Sequence, residues 1–202
     1  MKRIISIFLM GLTFLISCYA MAEEQKMSEK KALVVYFSKT GEQYGVGHIN
    51  EGNTAIIAKM IAEHTGADLF EIKLKNDTYP SAYKALTEVA LAEKKTNARP
   101  EIEGEVKNFA DYNVVFIGSP NWWADMPMVL YSFIEKYNWN DKIIIPFVTH
   151  EGSGLSSIPN KIKSAAHPQK VLEGFAIYGH TAQNSREQAD KEVLAWLKKL
   201  GY

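Results

Sequence analysis

The 202-residue chain has one cysteine, Cys18, close to its N-terminus. The rest of the chain therefore holds no disulfide, no cysteine-ligated iron–sulfur cluster and no thiol nucleophile, so redox chemistry there needs a borrowed cofactor. An excess of charge is missing too: 23 Lys and Arg balance 23 Asp and Glu, with no cluster of basic residues. That excludes a strongly basic nucleic-acid binder. The five histidines show no metal-ligand spacing, so no metal site is expected. Neither G-x-x-x-x-G-K-[ST] nor G-x-G-x-x-G occurs. A serine-hydrolase elbow fails at Glu151, which stands where G-x-S-x-G needs a glycine before Ser153. There is no internal repeat and no low-complexity stretch.

What is present begins with a leader. Lys2 and Arg3 precede an apolar run, Ile4 to Ile16, broken only by Ser6, Gly11 and Thr13. The run is shorter than the ~20 residues a membrane span needs, and residues 1–22 read as a secretory signal. Two processing routes compete. Ala20-Met21-Ala22 is an A-x-A site with cleavage before Glu23, whereas Leu15-Ile16-Ser17-Cys18 resembles a bacterial lipobox that would lipidate Cys18. The expectation is an exported protein, periplasmic or anchored to the membrane as a lipoprotein. Residues 23–30 are a polar linker and 31–202 form one domain. Without the leader, 21 basic residues face 23 acidic ones, a formal charge of −2.

The body alternates strand-like and helix-like segments. Ala32–Phe37, Asp68–Lys73, Asn113–Gly118, Lys142–Val148 and Val171–Tyr178 read as strands, mostly continuous apolar runs suited to burial on both faces. Thr54–His64, with Asn53 as N-cap, Ser81–Lys94, Met126–Tyr137 and about Ser185–Leu200 carry apolar residues at helical spacing. This predicts an α/β fold: a doubly wound, five-stranded parallel sheet with helices on both faces. Ligands of such sheets sit beyond the carboxyl ends of the strands, which directs attention to the loops after strands one, three and four.

The first loop runs Ser38-Lys39-Thr40-Gly41 and reaches a helix through Gly52-Asn53-Thr54. Hydroxyls, glycines and a helix N-terminus suit a phosphate; an ordinary polar loop with an N-cap has the same composition. The second, Gly118-Ser119-Pro120-Asn121-Trp122-Trp123-Ala124-Asp125, offers adjacent indole faces to a planar ring, and one of the two tryptophans is expected to pack as core. Trp122 is the expected stacker, with Trp123 turned to the next helix. The third, Thr149-His150-Glu151-Gly152-Ser153-Gly154, brings backbone N–H groups and hydroxyls close to a ligand. His150 is the candidate catalytic residue there, or a structural hydrogen-bonder.

Taken in order, VVYFSKTG, EGNT, IGSPNWWADMP and PFVTHEGSG resemble the flavodoxin family, in particular its short bacterial members, over residues 31–180. The resemblance implies the strand order 2-1-3-4-5 and non-covalent FMN. It places phosphate on Ser38, Thr40, Gly41, Asn53 and Thr54, and the flavin ring between Pro120, Asn121, Trp122 and Trp123 on one side and Thr149, Gly152, Ser153 and Gly154 on the other. One departure stands out. Glu42–Glu51 (EQYGVGHINE) interrupts the family's T-G-N-T loop, either looping out or letting Tyr44 and His48 cover the site.

The family implies electron or hydride transfer. Its dedicated carriers are strongly acidic, and a body at −2 departs from that. The reading is therefore a small FMN-dependent oxidoreductase of the quinone-reductase type, its electron donor and acceptor left open. A one-electron carrier, or an exported binding protein that has lost FMN, are the alternatives.

Overall fold

The computed structural model describes residues 31–202; the leader, both processing sites and Cys18 lie outside the described residues. The first half runs β1 (Ala32–Tyr36), β2 (Gly41–Gln43), β3 (Gly47–Ile49), α1 (Asn53–Thr65), β4 (Asp68–Glu71), β5 (Lys73–Leu74) and α2 (Tyr83–Thr96). The second runs β6 (Ile102–Glu103), β7 (Val114–Pro120), α3 (Met128–Ile134), β8 (Ile143–His150), α4 (Ile158–Ala166), β9 (Lys170–Val171), β10 (Phe175–Tyr178), α5 (Gly179–Asn184) and α6 (Arg186–Leu200).

β1 pairs in parallel with β4 on one side and β7 on the other; β8 pairs with β7, and both β9 and β10 pair with β8. With β9 and β10 counted as one interrupted strand, the sheet order is 2-1-3-4-5, the doubly wound order expected. All five residues of β1 are buried, so each face needs its own cover. Val34 and Tyr36 pack with Ile57 and Ile61 of α1 and Val193 and Leu197 of α6. Leu33 and Val35 pack on the opposite face with Leu86 of α2, Phe133 of α3 and Ile162 of α4. Each fully buried aliphatic side chain of this kind contributes about 1.5–3 kcal/mol.

Several segments differ from the expectation, among them the β2–β3 hairpin, the β5–β6 pair and α5, none of which was expected. The fifth strand is broken: Lys170 pairs with Ile143 but Phe175 with Phe147, so one extra residue enters between them. This is a bulge, with Gly174 pressed onto β8, where a Cβ would stand 3.0 Å from the Pro146 carbonyl oxygen. The third helix shrinks from Met126–Tyr137 to α3, because the Asp125 carboxylate accepts the Met126 N–H and Pro127 takes the N-cap position. Finally, α4 has no counterpart in the sequence reading. Its segment IPNKIKSAA buries only Ile158, Ile162 and Ala166, a stripe too thin to stand out from its polar neighbours.

Gly174→Ala is expected to destabilise the domain by about 1–3 kcal/mol, since the methyl meets main chain that cannot swing aside. Thermal melting of the purified body measures it, and an unchanged Tm contradicts the close-packed bulge.

Candidate functional site

The carboxyl ends of β1, β7 and β8 meet at the point where strand order reverses. There the first loop turns into α1 by an unusually close contact. A Cβ on Gly52 would overlap the Ser38 Oγ, so glycine is required at that position. Gly52, and not Asn53, is the N-cap residue; Asn53 already lies inside α1. Ser38 performs the capping from a distance in sequence, its Oγ accepting the Ala55 N–H at 3.0 Å. The N–H groups of Asn53 and Thr54 begin the helix and have no intrahelical acceptor. The Thr54 hydroxyl is buried and bonds the Thr149 hydroxyl at 2.8 Å, joining the start of α1 to the end of β8.

The second loop is a tight turn. Trp122 and Asp125 exchange backbone bonds of 2.9 and 3.1 Å, and both residues between them, Trp123 and Ala124, are left-handed at φ 57° and 59°. For L-residues this conformation costs roughly 1–2 kcal/mol each. The surroundings hold it there. Lys94 Nζ donates to the Trp123 carbonyl and Ser157 Oγ to that of Ala124. The buried Asp125 carboxylate accepts from the Tyr131 hydroxyl and lies within 3.6 and 3.7 Å of Lys94 and Lys161. The two indoles diverge. Trp122 is half-buried, edge-on to Phe37 and Tyr79 at 5.6 and 5.4 Å between centroids. Trp123 turns back to the preceding helix α2 and not to the next helix as expected, its Nε1 donating to the Thr87 carbonyl, and it is the more exposed ring, at 49 %. The better-packed indole is thus the one expected to stack on a ligand.

In the third loop, the Gly152 N–H donates to His150 Nδ1 at 2.9 Å, which leaves the imidazole proton on Nε2. Burial lowers the His150 pKa, opposed by the Glu151 carboxylate and reinforced by His180, which favours the neutral ring. Glu151 accepts from both the backbone and the ring of His180, at 2.8 and 2.7 Å. The Asn121 side chain donates to the Gly154 carbonyl and to Ser156 Oγ, tying the second loop to the third.

Between these loops lies a cleft of about 320 Å³, a size suited to a small ligand. Of the residues expected to bind cofactor, Asn53, Pro120, Asn121, Trp122, Trp123, Thr149 and Ser153 line it, as does His150. Ser38, Thr40, Gly41, Thr54, Gly152 and Gly154 do not; they lie in the flanking segments, with Ser38 and Thr54 bonded as described. The sequence reading missed Gln43, Tyr83, Leu86, Thr87, Ala90 and Glu151, and it weighed Tyr44, which lines the cleft, together with His48, which does not. Tyr83 was signalled only by its place after Tyr79-Pro80 at a helix start, a poor cue to a site remote in sequence. Two amide atoms on lining residues, Gln43 Nε2 and Asn53 Oδ1, are shielded from solvent without a partner. Among the described residues, no group of His, Cys, Asp or Glu could hold a metal ion.

A doubly wound parallel sheet with its cleft at the switch point defines a class of α/β proteins that bind ligands at strand carboxyl ends. Within that class, the sequence profile of the family Flavodoxin matches residues 31–199, and the chain belongs to the flavodoxin family. Among solved structures it is similar to a provisionally assigned flavoprotein of Bacteroides eggerthii, with 27% identity and TM-score 0.66 over 86% of this chain and 99% of that one. A second provisional flavoprotein, from Bacteroides uniformis, has 26% identity and TM-score 0.63, over 84% and 98%. A Lactobacillus acidophilus flavoprotein in complex with FMN shares the fold, with 20% identity and TM-score 0.59, over 78% and 97%. No curated protein is recognisably similar to the chain.

Ala124→Gly is expected to stabilise the domain by about 1 kcal/mol, because relief of the left-handed strain exceeds the roughly 0.5–1 kcal/mol entropy penalty of glycine. Denaturant titration of the two proteins decides it; a less stable variant contradicts a strained turn.

Proposed function

We propose that this protein binds FMN non-covalently and acts in electron or hydride transfer as a small reductase of the quinone type. The observation that carries the proposal is the cleft itself. It is walled by Trp122, Trp123, Tyr44 and Tyr83, lies beside the start of α1, and two of its lining residues, Gln43 and Asn53, carry a buried amide atom that nothing in the protein satisfies. A buried, unbonded polar atom costs about 1–3 kcal/mol, so a ligand with donors and acceptors along its edge completes what the fold leaves open. FMN has that character: a flat ring for the aromatic walls, polar edges for the amides and a phosphate for a helix N-terminus. The same unsatisfied atoms speak against a surface protein that has lost its cofactor.

The roles follow residue by residue. The N–H groups of Asn53 and Thr54 at the start of α1 would hold the phosphate, with the Ser38 hydroxyl as a further donor beside them. The Thr40 hydroxyl is exposed at the same turn, and Gly41 carries the chain past it. Pro120 and the two indoles would hold one side of the ring. Ser153 would hold its other edge, where Asn121 and Thr149 fix the loops and Gly152 and Gly154 shape the turn behind it. Bound FMN would supply one- and two-electron chemistry, and His150 Nε2–H would offer a proton donor at the cleft wall. A formal body charge of −2 supports a reductase over an acidic carrier. We further infer, from the leader, that the protein is exported, either released by cleavage before Glu23 or anchored through a lipidated Cys18.

The purified body should be yellow or become so with added FMN, and should bind riboflavin at least tenfold more weakly, because the helix N-terminus acts only on the phosphate. Titration by flavin fluorescence measures both affinities; equal affinities remove the phosphate site from the proposal. Fractionation of the native cells should find the protein beyond the inner membrane. Release from a membrane into the soluble fraction by Cys18→Ala supports the lipid anchor, and an unchanged distribution supports cleavage before Glu23.

A further inference from the structure

The segment Glu42–Glu51 that interrupts the family's phosphate loop does not loop out. It forms the antiparallel hairpin of β2 and β3, in which Gly41 pairs with Ile49, Glu42 with His48 and Gln43 with Gly47. The hairpin is braced against α2 at three points. The Glu42 N–H donates to the Ser81 carbonyl at 2.7 Å, and the Glu42 carboxylate accepts the Tyr83 N–H at 2.9 Å, capping the helix. The Tyr44 and Tyr83 rings lie 5.8 Å apart between centroids. At its base Gly41 is left-handed, at φ 95°, and a Cβ there would stand 2.7 Å from the Ser81 carbonyl oxygen. At its tip Gly45 approaches the Glu151 carboxylate, to which a Cβ would come within 3.3 Å. The hairpin therefore reaches from α2 to the loop after β8, across the mouth of the cleft.

Two observations indicate what it meets there. Gln43 lines the cleft, and its Nε2 is shielded from solvent without an acceptor. Five large hydrophobic side chains are exposed on the described surface, and three of them, Tyr44 at 64 %, Trp123 at 49 % and Tyr83 at 37 %, line this one cleft. Concentrated exposure of this kind marks a binding surface. No Lys or Arg is among the lining residues, so the wall suits the uncharged part of a ligand better than its phosphate.

We propose that the hairpin is a third wall of the cofactor site, Gln43 Nε2 donating to an acceptor on the ring or ribityl chain of the flavin and Tyr44 covering the exposed face of the ring. The assignment rests on the FMN reading above and adds two binding residues to it. The hairpin thereby supplies affinity independent of the phosphate loop that it interrupts.

The test compares FMN and riboflavin binding to the wild-type body and to Gln43→Ala, Tyr44→Leu and Tyr44→Phe, each followed by flavin fluorescence and by melting without flavin. Gln43→Ala should weaken both ligands by the same factor, about fivefold, as loss of one hydrogen bond requires. Tyr44→Leu should weaken both on the order of tenfold and partly restore the fluorescence of the bound flavin, whereas Tyr44→Phe should behave as wild type. Neither Tyr44 variant should shift the flavin-free melting temperature, since the side chain is largely exposed. Wild-type FMN affinity in both Gln43→Ala and Tyr44→Leu, or a loss confined to FMN and absent with riboflavin, overturns the hairpin's role while leaving the FMN reading in place. A wild-type body with no affinity for either flavin overturns both.

Discussion

The buried bond between the hydroxyls of Thr54 and Thr149 organises the top of this molecule. It joins the first turn of α1 to the carboxyl end of β8, two segments 95 residues apart in the chain. With both residues almost fully buried, neither hydroxyl has water as an alternative, so the pairing fixes the helix start relative to the strand end. The remaining contacts depend on that alignment. Ser38 can cap α1 only if Gly52 lies against it, and Asn121 can bond Gly154 and Ser156 only if β7 and β8 end at matching heights. The cleft is the space these contacts leave between them.

Strain concentrates at one edge of that space. The left-handed pair Trp123-Ala124 holds an indole out towards solvent, where burial would ordinarily be favoured. The cost is offset by ties from three helices: Lys94 of α2, Tyr131 of α3 and Lys161 of α4 all converge on this turn or on Asp125 next to it. A strained turn held this firmly belongs to a functional loop more readily than to a mere connection. The hairpin on the opposite rim is built differently. It relies on glycines at its base and tip and on backbone bonds to α2, with little buried apolar surface of its own. The two rims thus differ in rigidity, one clamped by helices and the other carried by a short hairpin.

The fold was legible because its signals are local. A run such as Ala32–Tyr36 can only be a strand buried on both faces, and five of them alternating with helical periodicity leave few topologies. Three of the exceptions were also local in cause: a one-residue bulge at Gly174, a thin apolar stripe in α4, and Asp125 stopping the third helix from starting early. Residues of the second and third loops were found because glycine, proline, hydroxyl and indole side chains crowd at strand ends that face a switch point.

What the sequence by itself determined, then, was the α/β class, the strand order through family resemblance, and the three loops that carry the site. Only the tertiary structure decided which side chains in those loops face the cleft. Ser38 and Thr54 carry the hydroxyls expected for phosphate, yet both are engaged in holding α1 in place. The order of exposure of Trp122 and Trp123 depends on two backbone angles and on Phe37 and Tyr79, none of which the dipeptide encodes. Gln43, Tyr44 and Tyr83 became neighbours of the site because a hairpin folds back over a helix some forty residues further along the chain, an encounter between distant segments. Residue spacing reports which face of an element is apolar; it cannot report which elements meet, because that is settled by packing across the sheet.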